Sequence, residues 1–124
     1  MWRSPEPRFD VASAIVQGGR DYQEDAIVSD FPFGADTGVV VLADGMGGHA
    51  AGEVASAMAV DAVHETLVGA PDPDETRLVR EHETDDPADV LRERLRYAMN
   101  QASIRIRREA DARPETKGMG TTLV

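Results

Sequence analysis

The most informative segment of the sequence is Val39-Val-Val-Leu-Ala-Asp44-Gly-Met-Gly-Gly-His49. Its five apolar residues, Val39 to Ala43, predict a β-strand buried on both faces. The carboxylate of Asp44 follows at once and leads into a turn rich in glycine. Burying a carboxylate at the end of such a strand is costly unless something compensates its charge. Asp44 is therefore the first candidate for a functional side chain.

Other segments predict strands around this one. Phe9 to Val16 alternates loosely and ends at Gly18-Gly19, which indicates a first strand. Asp25 to Ser29 predicts a second strand, and residues 31–38 are rich in turn-forming types. Near the end of the sequence, Gly118 to Val124 predicts a glycine turn that leads into a further strand.

Two helices are predicted between the third and the last strand. The first has its apolar residues at the spacing of an amphipathic helix: Ala55, Met58, Ala59, Ala62 and Val63. The second opens with an N-cap and a proline, Asp86-Pro87, and its apolar stripe is Leu91, Leu95, Ala98, Ala102 and Ile106. Residues 70–86 are polar and acidic and predict a long, mobile surface loop. This order of elements predicts an α+β fold, with helices on one face of a mostly antiparallel sheet.

Composition and charge exclude several classes of protein. A chain of 124 residues has room for one domain at most. Since it has no cysteine, disulfides, zinc–thiolate sites and thiol catalysis are excluded. A net charge of −10 argues against a surface for nucleic acid or for an anionic membrane. With no signal-peptide pattern and no apolar run of roughly 20 residues, we expect a cytoplasmic protein without a nucleic-acid or membrane partner.

Three carboxylates and an arginine lie on short connections around the central strand. Carboxylate oxygens are the ligands that hard divalent cations prefer, and the Arg20 guanidinium can bind a phosphate through two hydrogen bonds. Glu24 and Asp25 are adjacent, so their side chains point to opposite faces of an extended chain. One could bind a metal directly while the other reaches a metal-bound water or a second ion. The carbonyl of Gly45 could serve as a further ligand beside Asp44, and the set predicts metal-assisted chemistry on a phosphate.

Each of these residues has a structural alternative. Asp44 could instead cap the helix that follows the glycine turn. Glu24 and Asp25 could form an ordinary solvated pair in a loop. Arg20 could simply neutralise those neighbouring acids.

The histidines and the charged runs have weaker patterns. His49 could approach the site, or it could be exposed in the first helical turn. His64 and His82 are predicted to face solvent. The alternating charges of Arg92 to Arg96 and of Arg105 to Glu109 are typical of a solvated helix face.

A competing motif overlaps the glycine turn. Gly45-Met-Gly47-Gly-His-Ala50 matches the G-x-G-x-x-A fingerprint of dinucleotide-binding domains. Asp44 would place a negative charge beside the pyrophosphate unless a cation intervened. The fingerprint also expects an acid about 20 residues on, at the end of a second strand, whereas Glu65 falls within a predicted helix. A dinucleotide-binding domain is therefore a distant alternative.

Three blocks of the sequence together resemble one family. They are Arg20-Asp-Tyr-Gln-Glu24-Asp25-Ala26, Asp44-Gly-Met-Gly-Gly-His49 with Gly52-Glu53 and Ser56, and Gly118-Met-Gly-Thr-Thr122. They are similar, in the same order, to the first signature blocks of the metal-dependent (PPM-type) protein serine/threonine phosphatases in their prokaryotic form. The resemblance implies a four-layer α/β/β/α sandwich of antiparallel sheets and helices, two Mn²⁺ or Mg²⁺ ions at its edge, and a phosphorylated protein as substrate.

Carried over by position, the resemblance also implies roles. Asp44 would bridge both ions, with the carbonyl of Gly45 as a further ligand, and Glu24 and Asp25 would bind metal directly or through water. Arg20 would hold the phosphate of a phosphoserine or phosphothreonine. A water made acidic by the two cations would attack phosphorus in line.

The sequence departs from the family pattern in two ways. Met46 occupies the position where animal members place a histidine proposed as general acid, so His49 is not assigned that role. The family also draws further metal-binding aspartates from a C-terminal half, and nothing around Asp111 matches those blocks. We therefore expect residues 1–124 to be a partial phosphatase domain with its C-terminal half absent and its activity impaired. The alternative of a different class is a non-catalytic remnant or interaction module.

Overall fold

The computed structural model describes residues 11–19, 23–31, 38–48, 50–69 and 86–124. Its elements in chain order are β1 (Asp25–Asp30), β2 (Val39–Met46), α1 (Ala51–Val68), α2 (Pro87–Ala112), a 3-10 turn (Pro114–Thr116) and β3 (Gly120–Thr121). The strands form an antiparallel sheet in the order β1-β2-β3. Helix α1 packs against β1 and β2, and α2 packs against α1. The predicted α+β fold, with its helices on one face of the sheet, is confirmed for this part of the chain.

Strand β2 is longer than predicted and is buried on one face only. Val41 and Ala43 face α1 and are buried, whereas Val40 and Leu42 are 50% and 45% exposed on the opposite face. The prediction that Val39 to Ala43 is buried on both faces is therefore wrong for the described residues. The reason is that successive strand residues point to opposite faces, and α1 covers only one of them.

The core lies between the sheet and the two helices. It consists of small and β-branched residues, namely Val41, Ala43, Ala59, Val60, Ala62, Val63, Ala98 and Ala102. Alanines on α1 and α2 let both helices approach their neighbours closely, because a methyl side chain adds little bulk between two backbones. The predicted stripe of α1 is confirmed, with Met58 half-buried. In α2, Ala98 and Ala102 are buried, but Leu91 and Leu95 are 54% and 40% exposed, so the predicted stripe of α2 is only partly buried among the described residues.

The predicted first strand is wrong where the structure describes it. Residues 11–16 have no regular secondary structure and are exposed, and Phe9 and Asp10 lie outside the described residues. A strand needs the hydrogen bonds of a neighbouring strand, and alternation of residue types cannot supply them.

The predictions for the last strand and the second helix are confirmed. Gly118 has a φ of 79° and turns the chain into β3, and Leu42 and Val124 exchange backbone hydrogen bonds of 2.8 and 2.9 Å beyond it. Asp86 is the N-cap of α2, because its carboxylate accepts a hydrogen bond of 2.9 Å from the N–H of Ala88. Residues 70–85 of the predicted acidic loop, and 32–37 of the predicted turn, lie outside the described residues. No described helix is both long and apolar enough to cross a membrane.

Candidate metal centre

The pairing of β1 with β2 places Asp25 directly opposite Asp44. One residue further along, the N–H of Gly45 donates a hydrogen bond of 2.9 Å to the carbonyl of Glu24. Hydrogen-bonded and non-hydrogen-bonded pairs alternate in an antiparallel ladder, so Asp25 and Asp44 form a non-hydrogen-bonded pair. In such pairs the Cα atoms are about 4.5 Å apart and the side chains are close together. Both carboxylates therefore lie side by side on the exposed face of the sheet, opposite α1.

Glu24 lies on the other face of the sheet, against the first turn of α1. A Cβ atom built on Gly52 would lie 2.9 Å from the Oε1 atom of Glu24. The absence of a side chain at Gly52 thus makes room for this carboxylate. Glu24 and Asp25 point to opposite faces, as their adjacency predicts.

Thr122 is the partner in two hydrogen bonds of the Asp44 backbone, both on the side of the strand that faces β3. The N–H of Asp44 donates to the hydroxyl of Thr122 at 3.0 Å, and the N–H of Thr122 donates to the carbonyl of Asp44 at 2.9 Å. The sequence places Thr122 in one of the three blocks but assigns it no role. The two residues are 78 positions apart, so spacing alone could not reveal their contact.

The side chain of Gln23 forms a hydrogen bond with the backbone of Asp25, the other aspartate of the pair. Its Oε1 atom accepts a hydrogen bond of 3.1 Å from the N–H of Asp25. Its Nε2 atom is buried and has no hydrogen-bond partner among the described residues. A buried donor without a partner is uncommon in folded proteins, and this one belongs to the side chain that bonds the backbone of Asp25.

The charges of this cluster are not balanced by the described basic residues. Glu24, Asp25 and Asp44 make no ion pair with an arginine or lysine of that part of the chain. Like charges directly opposite on neighbouring strands are destabilising, and a divalent cation between them would reverse the sign of that effect.

The donor set fits part of the coordination sphere of a hard divalent ion. It offers the two facing carboxylates, with the Gly45 carbonyl and Glu24 one residue away along the same strands. The described residues include no cluster of three or more Asp, Glu, His or Cys side chains that could hold a metal ion by itself. Since Mg²⁺ usually keeps several waters and uses one or two carboxylates, such a sparse set of ligands suits it.

Two grooves of the described surface lie away from these carboxylates. One of about 740 Å³ is lined by residues of the hairpin and of both helices, including Asp30, Leu67 and Leu91. Another of about 530 Å³ lies between α2 and β3. Neither is lined by Asp25 or Asp44, so the carboxylate pair lies on an open sheet face.

The structure tests the alternative that Asp44 caps α1, but it does not test the alternative that Arg20 only neutralises its acidic neighbours. The N-cap of α1 is Ala50, whose side chain makes no capping hydrogen bond, and Asp44 does not cap that helix. Arg20 lies outside the described residues, as do His49 and His82, so their predicted roles stay predictions.

His64 faces solvent only in part, and not fully as predicted. It is half-buried, and its Nε2 atom lies 2.9 Å from the Oδ2 atom of Asp30. The contact forms because the end of β1 lies against the last turns of α1, a neighbourhood that helical periodicity alone does not reveal.

The charged runs of α2 are mostly the solvated face that the sequence predicts. Exposed arginines form ion pairs with nearby acids, as in Arg105 with Glu65 at 2.9 Å. Arg94 is an exception, since it is half-buried and donates to the carbonyls of Thr66 and Leu67, each at 3.2 Å. These carbonyls end α1, where a cation is favourable for the helix dipole.

The dinucleotide alternative meets a topological difference. The fingerprint belongs to a parallel βαβ unit, in which the strands before and after the helix run in the same direction. Here β3 runs antiparallel to β2, the strand that precedes the glycine turn.

Comparison with known proteins identifies the family. Residues 18–124 match the sequence model of the family described as Protein phosphatase 2C. The serine/threonine protein phosphatase PstP of Mycobacterium tuberculosis, in strains CDC 1551 / Oshkosh and ATCC 25618 / H37Rv, is 34% identical to this chain over 85 residues. That alignment covers 68% of this chain and 13% of PstP.

The fold agrees with this match. The crystal structure of the M. tuberculosis serine/threonine phosphatase PstP/Ppp superposes with a TM-score of 0.53 at 30% sequence identity. The superposition covers 84% of this chain but 35% of that chain, so the described sheet and helices correspond to part of a larger fold, an incomplete sandwich. The chain belongs to the protein phosphatase 2C family.

Proposed function

We propose that this chain provides the N-terminal part of a metal-dependent phosphatase site that hydrolyses phosphoserine and phosphothreonine in proteins. The observation that carries the proposal is the facing pair Asp25–Asp44, whose carboxylates have no cationic partner among the described residues. Membership of the protein phosphatase 2C family supports this chemistry. Phosphorylated proteins are then the substrate class, as the printed name of the relative, serine/threonine protein phosphatase, states for that protein.

In this proposal the chain's own residues hold and orient the reacting groups. Asp44 and Asp25 would hold Mn²⁺ or Mg²⁺ at the end of the paired strands, with the Gly45 carbonyl as a further ligand. Glu24, which lies on the other face of the sheet, would bind there directly or through water. Bound divalent ions would supply Lewis acidity and a nucleophilic water of lowered pKa. Arg20 would bind two phosphate oxygens and fix the phosphoryl group for in-line attack.

The experiment that tests the proposal is Mn²⁺ binding to the full 124-residue chain, followed by electron paramagnetic resonance. We expect weak binding that is lost in Asp44→Asn and retained in Asp61→Asn, an exposed aspartate of α1 that serves as the matched control. Binding that is unchanged in Asp44→Asn would contradict the proposal. A non-catalytic interaction module, the rival function, predicts no metal binding that depends on Asp44.

Hydrolysis by this chain alone should be slight. The chain spans 35% of the solved relative and offers few ligands, so at least one ion should be loosely held. Positioning of nucleophile and substrate can contribute about 7–11 kcal/mol to barrier lowering, and a loosely held ion forfeits much of it. Robust Mn²⁺-dependent hydrolysis of a phosphothreonine peptide, abolished in Asp44→Asn, would show instead that the site is complete.

A further inference from the structure

We propose that Thr122 is the positioning residue of Asp44, and that its hydroxyl group sets the direction in which the Asp44 carboxylate leaves the sheet. The inference rests on the proposed function, because it concerns the residue that would hold the metal. It assigns to Thr122 a contact with the backbone of Asp44 and no contact with substrate or metal.

The first observation is that the backbone hydrogen bonds between β2 and residues 122–124 are interrupted at Asp44. Leu42 and Val124 form a regular pair, in which each N–H donates to the other residue's carbonyl, at 2.8 and 2.9 Å. At the next such pair, Asp44 and Thr122, the N–H of Asp44 donates to the Thr122 hydroxyl instead of to the Thr122 carbonyl. A side chain thus replaces a backbone group at the position of the candidate ligand.

The Thr122 carbonyl, which does not bond Asp44, accepts a hydrogen bond from the neighbouring Thr121. The hydroxyl of Thr121 donates to the carbonyl of Thr122 at 2.8 Å. The carbonyl that a regular ladder would offer to Asp44 therefore has another donor, and the two adjacent threonines together produce the irregular pair. The β-branched side chain of Thr122 has few χ1 rotamers, so the acceptor that it presents is well defined in position.

The second observation is that no other described residue makes a backbone hydrogen bond to Asp44. Because Asp25 and Asp44 form a non-hydrogen-bonded pair, β1 makes no backbone hydrogen bond to Asp44. β2 ends at Met46, and the next residues, Gly47 and Gly48, have φ angles of 139° and 69° that favour glycine and continue no strand. Thr122 is the partner in both described backbone hydrogen bonds of Asp44. A change at Thr122 should therefore alter the orientation of Asp44 more than that of other residues.

The test compares Thr122→Val, which removes the acceptor at nearly constant shape, with Thr122→Ser, which keeps it. The matched control is Thr66→Val, which removes a hydroxyl bonded to the Ala62 carbonyl within α1. The first readout needs no metal: it is hydrogen exchange of the Asp44 amide, measured by NMR on the full chain in EDTA. The second is the Kd for Mn²⁺ alone, and circular dichroism verifies that each variant is folded.

We expect exchange of the Asp44 amide to be about tenfold faster in Thr122→Val, the factor that matches the loss of one ordinary hydrogen bond. The Kd for Mn²⁺ should rise about tenfold or more, as for other residues that orient metal ligands. Thr122→Ser should restore both values, and Thr66→Val should change neither.

Several outcomes would overturn the inference. A Thr122→Val variant that binds Mn²⁺ like the wild type, while Asp44→Asn does not, would refute it and leave the proposed function standing. A raised Kd that Thr122→Ser does not restore would show a merely structural effect. Mn²⁺ binding that is unaffected by Asp44→Asn would refute the proposed function and the inference with it.

Discussion

Gly45 and Gly52 are in direct backbone contact, which joins the end of β2 to the first turn of α1. A Cβ atom on Gly45 would overlap the carbonyl oxygen of Gly52, and one on Gly52 would lie 3.1 Å from the carbonyl carbon of Gly45. The Gly45 N–H also donates to the carbonyl of Glu24. The contact holds Gly45, Gly52 and Glu24 close together. A side chain at position 45 would not fit, so only glycine permits the contact there.

Substitution of Gly45 by alanine should therefore destabilise the fold. The new methyl group meets backbone atoms, which cannot move aside as a flexible side chain can, and we expect a loss of about 1–3 kcal/mol in the free energy of unfolding. Urea denaturation measures it. Gly19→Ala is the matched control, since a Cβ atom there has nothing within 4 Å. Equal stability of the two variants would contradict the close contact.

The two faces of β2 should respond differently to truncation. Val41 is 2% exposed against α1, and Val41→Ala should cost about 2 kcal/mol of unfolding free energy from lost burial. Leu42 is 45% exposed on the opposite face, and Leu42→Ala should cost less than about 1 kcal/mol in this chain. Thermal or urea denaturation distinguishes them. A larger loss for Leu42→Ala would mean that the face opposite α1 is packed.

The Asp30–His64 contact should couple β1 to α1 weakly. The two side chains are 33% and 31% exposed, so water screens their interaction. A double-mutant cycle with Asp30→Ala and His64→Ala should give a coupling free energy of about 0.5 kcal/mol. Asp111→Ala paired with His64→Ala serves as the control cycle, because Asp111 is an exposed residue near the end of α2 and is not the described ion-pair partner of His64. A coupling above about 2 kcal/mol would require a drier contact than the structure has.

Sequence reasoning predicts the elements whose signals are local. Asp86 as an N-cap, β1 and the stripe of α1 follow from neighbouring residues, and the structure confirms them. Features that depend on distant partners were not predicted. The strand expected over Phe9 to Val16 had no neighbour to pair with in the described chain.

The candidate site likewise has residues that the sequence reveals and contacts that only the structure reveals. The carboxylates could be found from the sequence, because the blocks that carry them have distinctive residue types at short spacing. The direct opposition of Asp25 and Asp44 is a matter of register, which the separate blocks do not specify. The contacts of Thr122 and His64 depend on tertiary packing, so they needed the structure.

Paramagnetic broadening shows whether Asp25 and Asp44 hold a divalent cation, as proposed. Mn²⁺ added to the ¹⁵N-labelled chain shortens the relaxation of nearby amides, so the bound ion reports its own position. We predict that the signals of Asp25, Asp44 and Gly45 broaden first, and that Asp44→Asn removes this effect while Asp61→Asn does not. Broadening that begins at other residues, or that persists in Asp44→Asn, would refute a cation site at these two aspartates.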